Sequence, residues 1–218
     1  MFVFALAFIA LLFSNAAFAE PTFQYEVSVT NITKGQTFTP TLVAAADGSV
    51  SIFELGSAAS PALEILAEAG DTSPLTQELL GLGRHVSGVQ TIPGLLGPGQ
   101  TTKVTLSAAP LHRRLILAAM LIPTNDNFYA LNAVELPLFG TATYLAPAYD
   151  AGTEENDQNC ANIPGPRCGG EGHSAGPNPG DEGFVFIGEG FHELGTELEP
   201  AQYDWRNPVA RITVRRMR

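Results

Sequence analysis

Leu115-Ile116-Leu117-Ala118-Ala119-Met120-Leu121-Ile122, closed by Pro123, decides the fold of this chain. A strand with one wet face alternates apolar and polar residues, and eight apolar residues in a row leave no wet face. The run predicts a central strand buried on both sides. Periodicity alone leaves a buried helix as the alternative. Outward from it, Phe128 to Leu138 and Thr141 to Leu145 read as strands around Pro137 and Gly140, and Lys103 to Ser107 alternates upstream. Tyr25-Glu26-Val27-Ser28-Val29-Thr30-Asn31 places Tyr25, Val27 and Val29 on one side, the pattern of a half-buried strand. Thr41 to Ala46 reads as a further extended piece, after a polar connection from Asn31 to Pro40. Ser51 to Leu55 is short and apolar, Phe184 to Ile187 reads as a short strand, and Pro208 to Arg216 alternates like a closing strand.

Two helices carry their own start and stop signals. Ser60 is an N-cap with Pro61 at the first helical position, Leu63, Leu66 and Ala67 form a stripe, and Gly70 ends it. Ser73-Pro74 repeats the device, with Leu75, Leu79 and Leu80 apolar and Gly81 after the end. Each spans two to three turns, too short to stand alone, so both must lie on a larger body. That body reads as a sheet.

Composition sets the class. Of 218 residues, 45% are hydrophobic and 15% charged, enough apolar surface for a core. The 22 glycines and 16 prolines exceed the usual ~12% for the two together and imply many turns. With 22 acidic against 11 basic side chains the net charge is −11, which argues against a nucleic-acid partner. Five of the basic residues fall in Arg206–Arg218 and read as the solvent face of the last strand, with an anionic-ligand surface as the minority reading.

Residues 1–19, MFVFALAFIALLFSNAAFA, are uncharged and end in Ala17-Phe18-Ala19, the small-x-small pattern of a signal peptidase site. They read as a signal peptide lacking the usual basic start, with the mature chain at 20–218. Their apolar core is short of the ~20 residues that span a bilayer, and no later segment is a transmembrane candidate. The expected location is secreted, periplasmic or cell-surface. The only cysteines, Cys160 and Cys168, flank a turn-rich loop and read as a disulfide, a metal site needing further ligands of which His173 is the sole neighbour. So small a ring contributes at most ~3 kcal/mol.

Two stretches hold more carboxylates and turn residues than a connection needs: Pro123-Thr124-Asn125-Asp126-Asn127 and Tyr149 to Asp157. Calcium takes six to eight oxygens, and loops at strand ends supply them from carboxylates and free carbonyls. Residues 146–183 form a long acidic, glycine- and proline-rich loop, a length that is usually functional or disordered. His173 and His192 lack the spacing of a zinc motif and read as solvent-exposed. Nucleophile elbows, phosphate loops and Cys-His pairs are absent. Asn31-Ile32-Thr33 is a glycosylation sequon, and Trp205 is expected under the last strand.

Met120–Leu131 with its PTNDNF turn, Tyr149-Asp150-Ala151-Gly152-Thr153-Glu154, and Trp205–Arg216 with PVARITVRR together resemble the N-terminal domain of the spondin family of extracellular matrix proteins. The early strand and Leu63–Asp71 fit as well, so the resemblance covers most of Gln24–Arg216. It implies a mainly β fold, an antiparallel β-sandwich similar to C2 domains, forming one domain over 20–218. It also implies one calcium ion held by Asp126 and Asp150. A third family ligand, a glutamate, falls near Thr105–Ser107, where no acid exists. Glu154, Asp157 and Asp71 are the substitutes, and the sequence does not choose among them. The expected function is calcium-dependent adhesion or surface and matrix association, without catalysis, toward an extracellular protein or glycan. The alternative is a secreted hydrolase using a metal or a carboxylate pair. The further domains of the animal proteins have no counterpart here, so their partners do not carry over.

Overall fold

The structure, a computed structural model, describes residues 21–191 and 197–218. The expected signal peptide and His192 lie outside the described residues. Among the described residues, eleven strands form two sheets in which every pairing is antiparallel. In chain order the elements are β1 (Phe23–Asn31), β2 (Thr37–Phe38), β3 (Thr41–Ala46), α1 (Pro61–Ala69), α2 (Ser73–Gly81), β4 (Val86–Ile92) and β5 (Thr101–Ala108). They continue as β6 (Arg114–Ile122), β7 (Asn127–Glu135), β8 (Thr141–Ala146), β9 (Ala148–Asp150), β10 (Phe186–Ile187), α3 (Pro200–Tyr203) and β11 (Ala210–Arg216). The smaller sheet runs β5-β1-β11-β8; the larger runs β10-β9-β7-β6-β3-β4, with β2 also paired to β6.

The 115–122 run is β6, buried along its whole apolar length as a strand and not a helix. Its odd-numbered residues Leu115, Leu117, Ala119 and Leu121 face the smaller sheet, meeting Val27, Val29, Ile212 and Val214. Its even-numbered Ile116 and Ala118 face the other way, under Leu63, Leu66 and Ala67 of α1 and Leu75 and Leu79 of α2. Helices therefore cover the outer face of the sandwich's larger sheet, which is why neither face of β6 tolerates a polar residue.

Local chemistry sets the element ends. Ser60 Oγ accepts from Leu63 N–H at 3.2 Å, and Gly70 closes α1 in the left-handed region. The second helix departs from expectation by one residue. Ser73 is its first residue and Thr72 the cap position, while Asp71 Oδ1 accepts the Ser73 N–H at 2.8 Å. Pro40 interrupts the β2–β3 edge, and Thr39 repairs it: its Oγ1 accepts from Met120 N–H at 3.1 Å.

Three strands escaped the pattern. In β4, Gly88 breaks the alternation because a side chain there would meet the Ser107 carbonyl oxygen at 2.4 Å, where the two sheets approach one another. β2 has two residues and no period to show. β9 occupies the first part of the expected 146–183 loop, hidden by Pro147 and the acids that follow. Beyond it the loop is irregular but packed: Ile163 is fully buried, and Cys160 and Cys168 are disulfide-bonded with Cα atoms 4.7 Å apart. That excludes them as metal ligands.

Trp205 is buried with the last strand, as expected. Arg211 and Arg215 lie on the solvent side of β11, and Arg215 pairs with Glu26 at 3.2 Å across the sheet. The sequon asparagine is not available. Asn31 is fully buried and its amide donates to the carbonyls of Gln36 at 2.7 Å and Leu96 at 3.0 Å. A glycan on that nitrogen is incompatible with the folded strand.

Truncating the two-sided strand tests this architecture. Leu117→Ala removes a fully buried side chain and is expected to cost about 2–5 kcal/mol in urea unfolding. Leu145→Ala, at a position 57% exposed, is expected to change stability by less than about 0.5 kcal/mol.

Candidate metal centre

The β6–β7 hairpin turns through Pro123–Asp126, and Thr124 holds the turn: its hydroxyl donates to the Leu121 carbonyl at 2.6 Å and accepts from Asn127 N–H at 3.2 Å. β9 pairs with β7 so that Asn127 stands opposite Asp150. Register alone thus delivers the two acidic stretches to one end of the larger sheet. The Ala151 N–H donates to the Asp126 carbonyl at 3.3 Å and ties the loop to the turn.

Asp126 is fully buried. Its Oδ2 accepts from the N–H groups of Thr153 at 2.7 Å and Glu154 at 3.2 Å, and from the Thr153 hydroxyl at 3.3 Å. Its Oδ1 has no partner. Asp150 is 2% exposed; its Oδ1 accepts from Gly152 N–H at 2.9 Å, and its Oδ2 from the amides of Asn127 at 2.9 Å and Asn156 at 2.8 Å. The Asn127 carbonyl oxygen is buried and also unpartnered. Asn127 meets Asp150 through its amide nitrogen and turns its oxygen toward Gly188, so the orphaned oxygen of the carboxyl pair is Asp126 Oδ1.

The glycine of this loop is required. Gly152 has φ +66°, and a Cβ there would lie 2.3 Å from the Phe184 carbonyl oxygen. Only glycine can turn the chain back from Asp150 while the loop packs this closely.

Burial is the main force on the acids. It pushes Asp126 well above the ordinary carboxylate range, and the neighbouring Asp150 charge pushes it further. Burial likewise raises Asp150, against the hydrogen bonds it accepts. Glu182, which accepts from the Asn156 amide at 3.2 Å, is raised by burial and by Asp150. Among the described residues no lysine, arginine or histidine forms an ion pair with Asp126, Asp150, Glu154 or Glu182. A cleft of about 280 Å³ bounded by Asp150, Asn156, Glu182 and Glu189 leads from solvent as far as Asp150.

The remaining sequence candidates stand apart from the pair. Glu154 contributes its N–H to Asp126, but its carboxyl is buried beside Glu68 and Asp157 and pushed up to about 8, chiefly by burial and then by Glu68. Asp157 has both oxygens engaged, Oδ1 by Asn125 and Asn159 and Oδ2 by Asn162 at 2.6 Å. Asp71 is exposed and serves the start of α2. β5, where the family glutamate would fall, belongs to the other sheet. Asn127, Asn156 and Glu182 were not singled out from sequence. Asn127 and Asn156 lie inside the two stretches that were, whereas nothing in the sequence around Glu182 marks it.

A pH prediction follows from the raised carboxyls. In chelator-treated protein, Asp126, Asp150, Glu154 and Glu182 hold protons more tightly folded than unfolded. The native state thus binds more protons than the unfolded chain above about pH 4, and stability falls as pH rises toward 8. The lowered groups, Glu26, Asp47 and Asp204, lose their stabilising effect only below that window. Circular-dichroism melts in EDTA are expected to show Tm decreasing steadily from pH 5 to pH 8; a rising Tm would mean the acids are already neutralised.

No curated protein matches the chain. A family model described as Spondin_N does match it, over residues 19–159. That segment contains α1, α2, the β6–β7 hairpin and both acidic stretches; β10, α3 and β11 lie beyond it. Membership in this family suggests an extracellular domain, and the Cys160–Cys168 disulfide is consistent with an oxidising compartment. No helix among the described residues is long and apolar enough to cross a membrane. With well over half of its 218 residues matched, and with the sandwich and paired acidic loops that the resemblance implies, the chain belongs to the spondin N-terminal domain family.

Proposed function

We propose that this chain is an extracellular, non-catalytic β-sandwich that binds a calcium ion between the 123–127 turn and the 150–156 loop, and that it acts in adhesion or surface association with an extracellular protein or glycan. One observation carries the metal: Asp126, fully buried, points an unpartnered Oδ1 beside Asp150 with no cationic side chain paired to either. An uncompensated buried charge costs several kcal/mol, and a divalent ion removes that cost for both carboxylates together.

The donor set fits a hard ion. Asp126 and Asp150 offer carboxylate oxygens at the pair, with Glu182 and Asn156 at its edge, and among the described residues no sulfur or imidazole belongs to it. The ion's contribution would be to lock the hairpin turn to the DAGT loop, leaving that end of the sandwich ordered as a binding surface. Asp126 has no exposed surface, which favours a structural ion over the hydrolase alternative, because a substrate cannot reach a carboxyl closed off from solvent.

Calcium should raise Tm by mass action. A concentration a hundredfold above Kd contributes about 2.7 kcal/mol, roughly 5–10 °C for a chain of this length. Asp150→Asn is expected to abolish the rise. Asp126→Asn is more diagnostic: it removes the buried charge, so the chelated protein should melt higher than wild type while calcium has no further effect. A wild-type Tm that ignores millimolar calcium would end this reading.

A further inference from the structure

A second group of ligand-type side chains lies outside the acid pair. Glu64 and Glu68 stand one turn apart on the same face of α1, and His173 comes from the irregular loop. One ligand atom from each lies within 4.8 Å of the other two. His173 Nε2 is 3.1 Å from Glu64 Oε1. The next residue of the loop fixes the other carboxylate: Ser174 N–H donates to Glu68 Oε2 at 2.9 Å. That leaves Glu68 Oε1 with no partner, although Glu68 is only 1% exposed.

A simple ion pair does not account for the group. His173 can neutralise one carboxylate, yet Glu64, Glu68 and the neighbouring Glu154 place three there. Among the described residues no lysine or arginine pairs with any of them. A buried carboxylate oxygen without a donor needs a reason, and a cation supplies one.

We propose that Glu64, Glu68 and His173 form a zinc site, separate from the calcium site and independent of it. Imidazole together with carboxylate selects a borderline ion, whereas calcium takes oxygen alone. Three protein ligands leave one tetrahedral position for water. Solvent has access to it, because Glu64 borders a cleft of about 250 Å³ with Ala58, Thr153 and Pro177. The two sites share a wall: the Thr153 hydroxyl donates to Asp126 at 3.3 Å and also lies against Glu68. The expectation that His173 is merely solvent-exposed is replaced by a half-buried histidine facing a helix.

The test is calorimetric titration of zinc chloride into the full chain in millimolar calcium, with no chelating buffer. One equivalent is expected to bind. Glu68→Gln, which keeps the side chain's shape, and His173→Ala, on an irregular segment, should each weaken binding by about tenfold or more, with near-UV circular dichroism unchanged. Asp150→Asn should leave the zinc isotherm as it was. No heat with zinc, or an isotherm indifferent to both Glu68→Gln and His173→Ala, overturns the assignment. So does loss of zinc binding in Asp150→Asn, which would put zinc in the calcium site. The calcium melts fail or succeed separately, because they turn on Asp126 and Asp150.

Discussion

A carboxylate sealed inside protein without a positive partner is the constraint around which this end of the molecule is organised. Asp126 has nowhere to send its charge: the N–H groups of Thr153 and Glu154 satisfy one oxygen, the other has no partner, and a second acid stands close by. Desolvation therefore dominates, and the site has two ways out, a proton or a cation. Both depend on the loop's staying where it is. The Ala151 and Thr153 N–H groups, the Gly152 turn and the β7–β9 register all hold it there. Loop order and charge compensation are thus one problem.

Beneath it lies a plain hydrophobic solution. β6 is shared by two cores, one between the sheets and one under the helices, so a single strand ties all three layers. The hairpin turn that carries Asp126 begins at the very end of that strand. The strand shared by both cores thus positions the buried charge and keeps the paired acids from relaxing apart.

How much of this was legible in sequence depends on the range of the contacts. β6 could be read because eight successive apolar residues admit few alternatives, and both helices because Ser-Pro and Gly bracket them. Asp126 and Asp150 could be read because each sits in a turn beside a readable strand. β4 could not, because the reason for Gly88 is a carbonyl on β5, nineteen positions downstream. Glu182 could not, because its place beside Asp150 is set by an irregular chain with no period. Glu64 and Glu68 fall outside the Leu63, Leu66 and Ala67 stripe and carry no signal of their own, and His173 reads as solvent-exposed. Only the folded loop brings the three together. Glu154 is one of three acids among which the sequence does not choose, and its carboxyl lies beside Glu68 of α1, not at the pair.

The placing of β11 has a consequence for the order of events during synthesis. This late strand runs down the middle of the smaller sheet, bonded to β1 on one edge and β8 on the other. A ribosome-bound chain stopped short of Ala210 would own both flanking partners and no bridge between them, leaving two raw ladders open to any passing strand. The sheet closes only when β11 joins it, so the nascent protein stays partly unzipped until that strand has emerged.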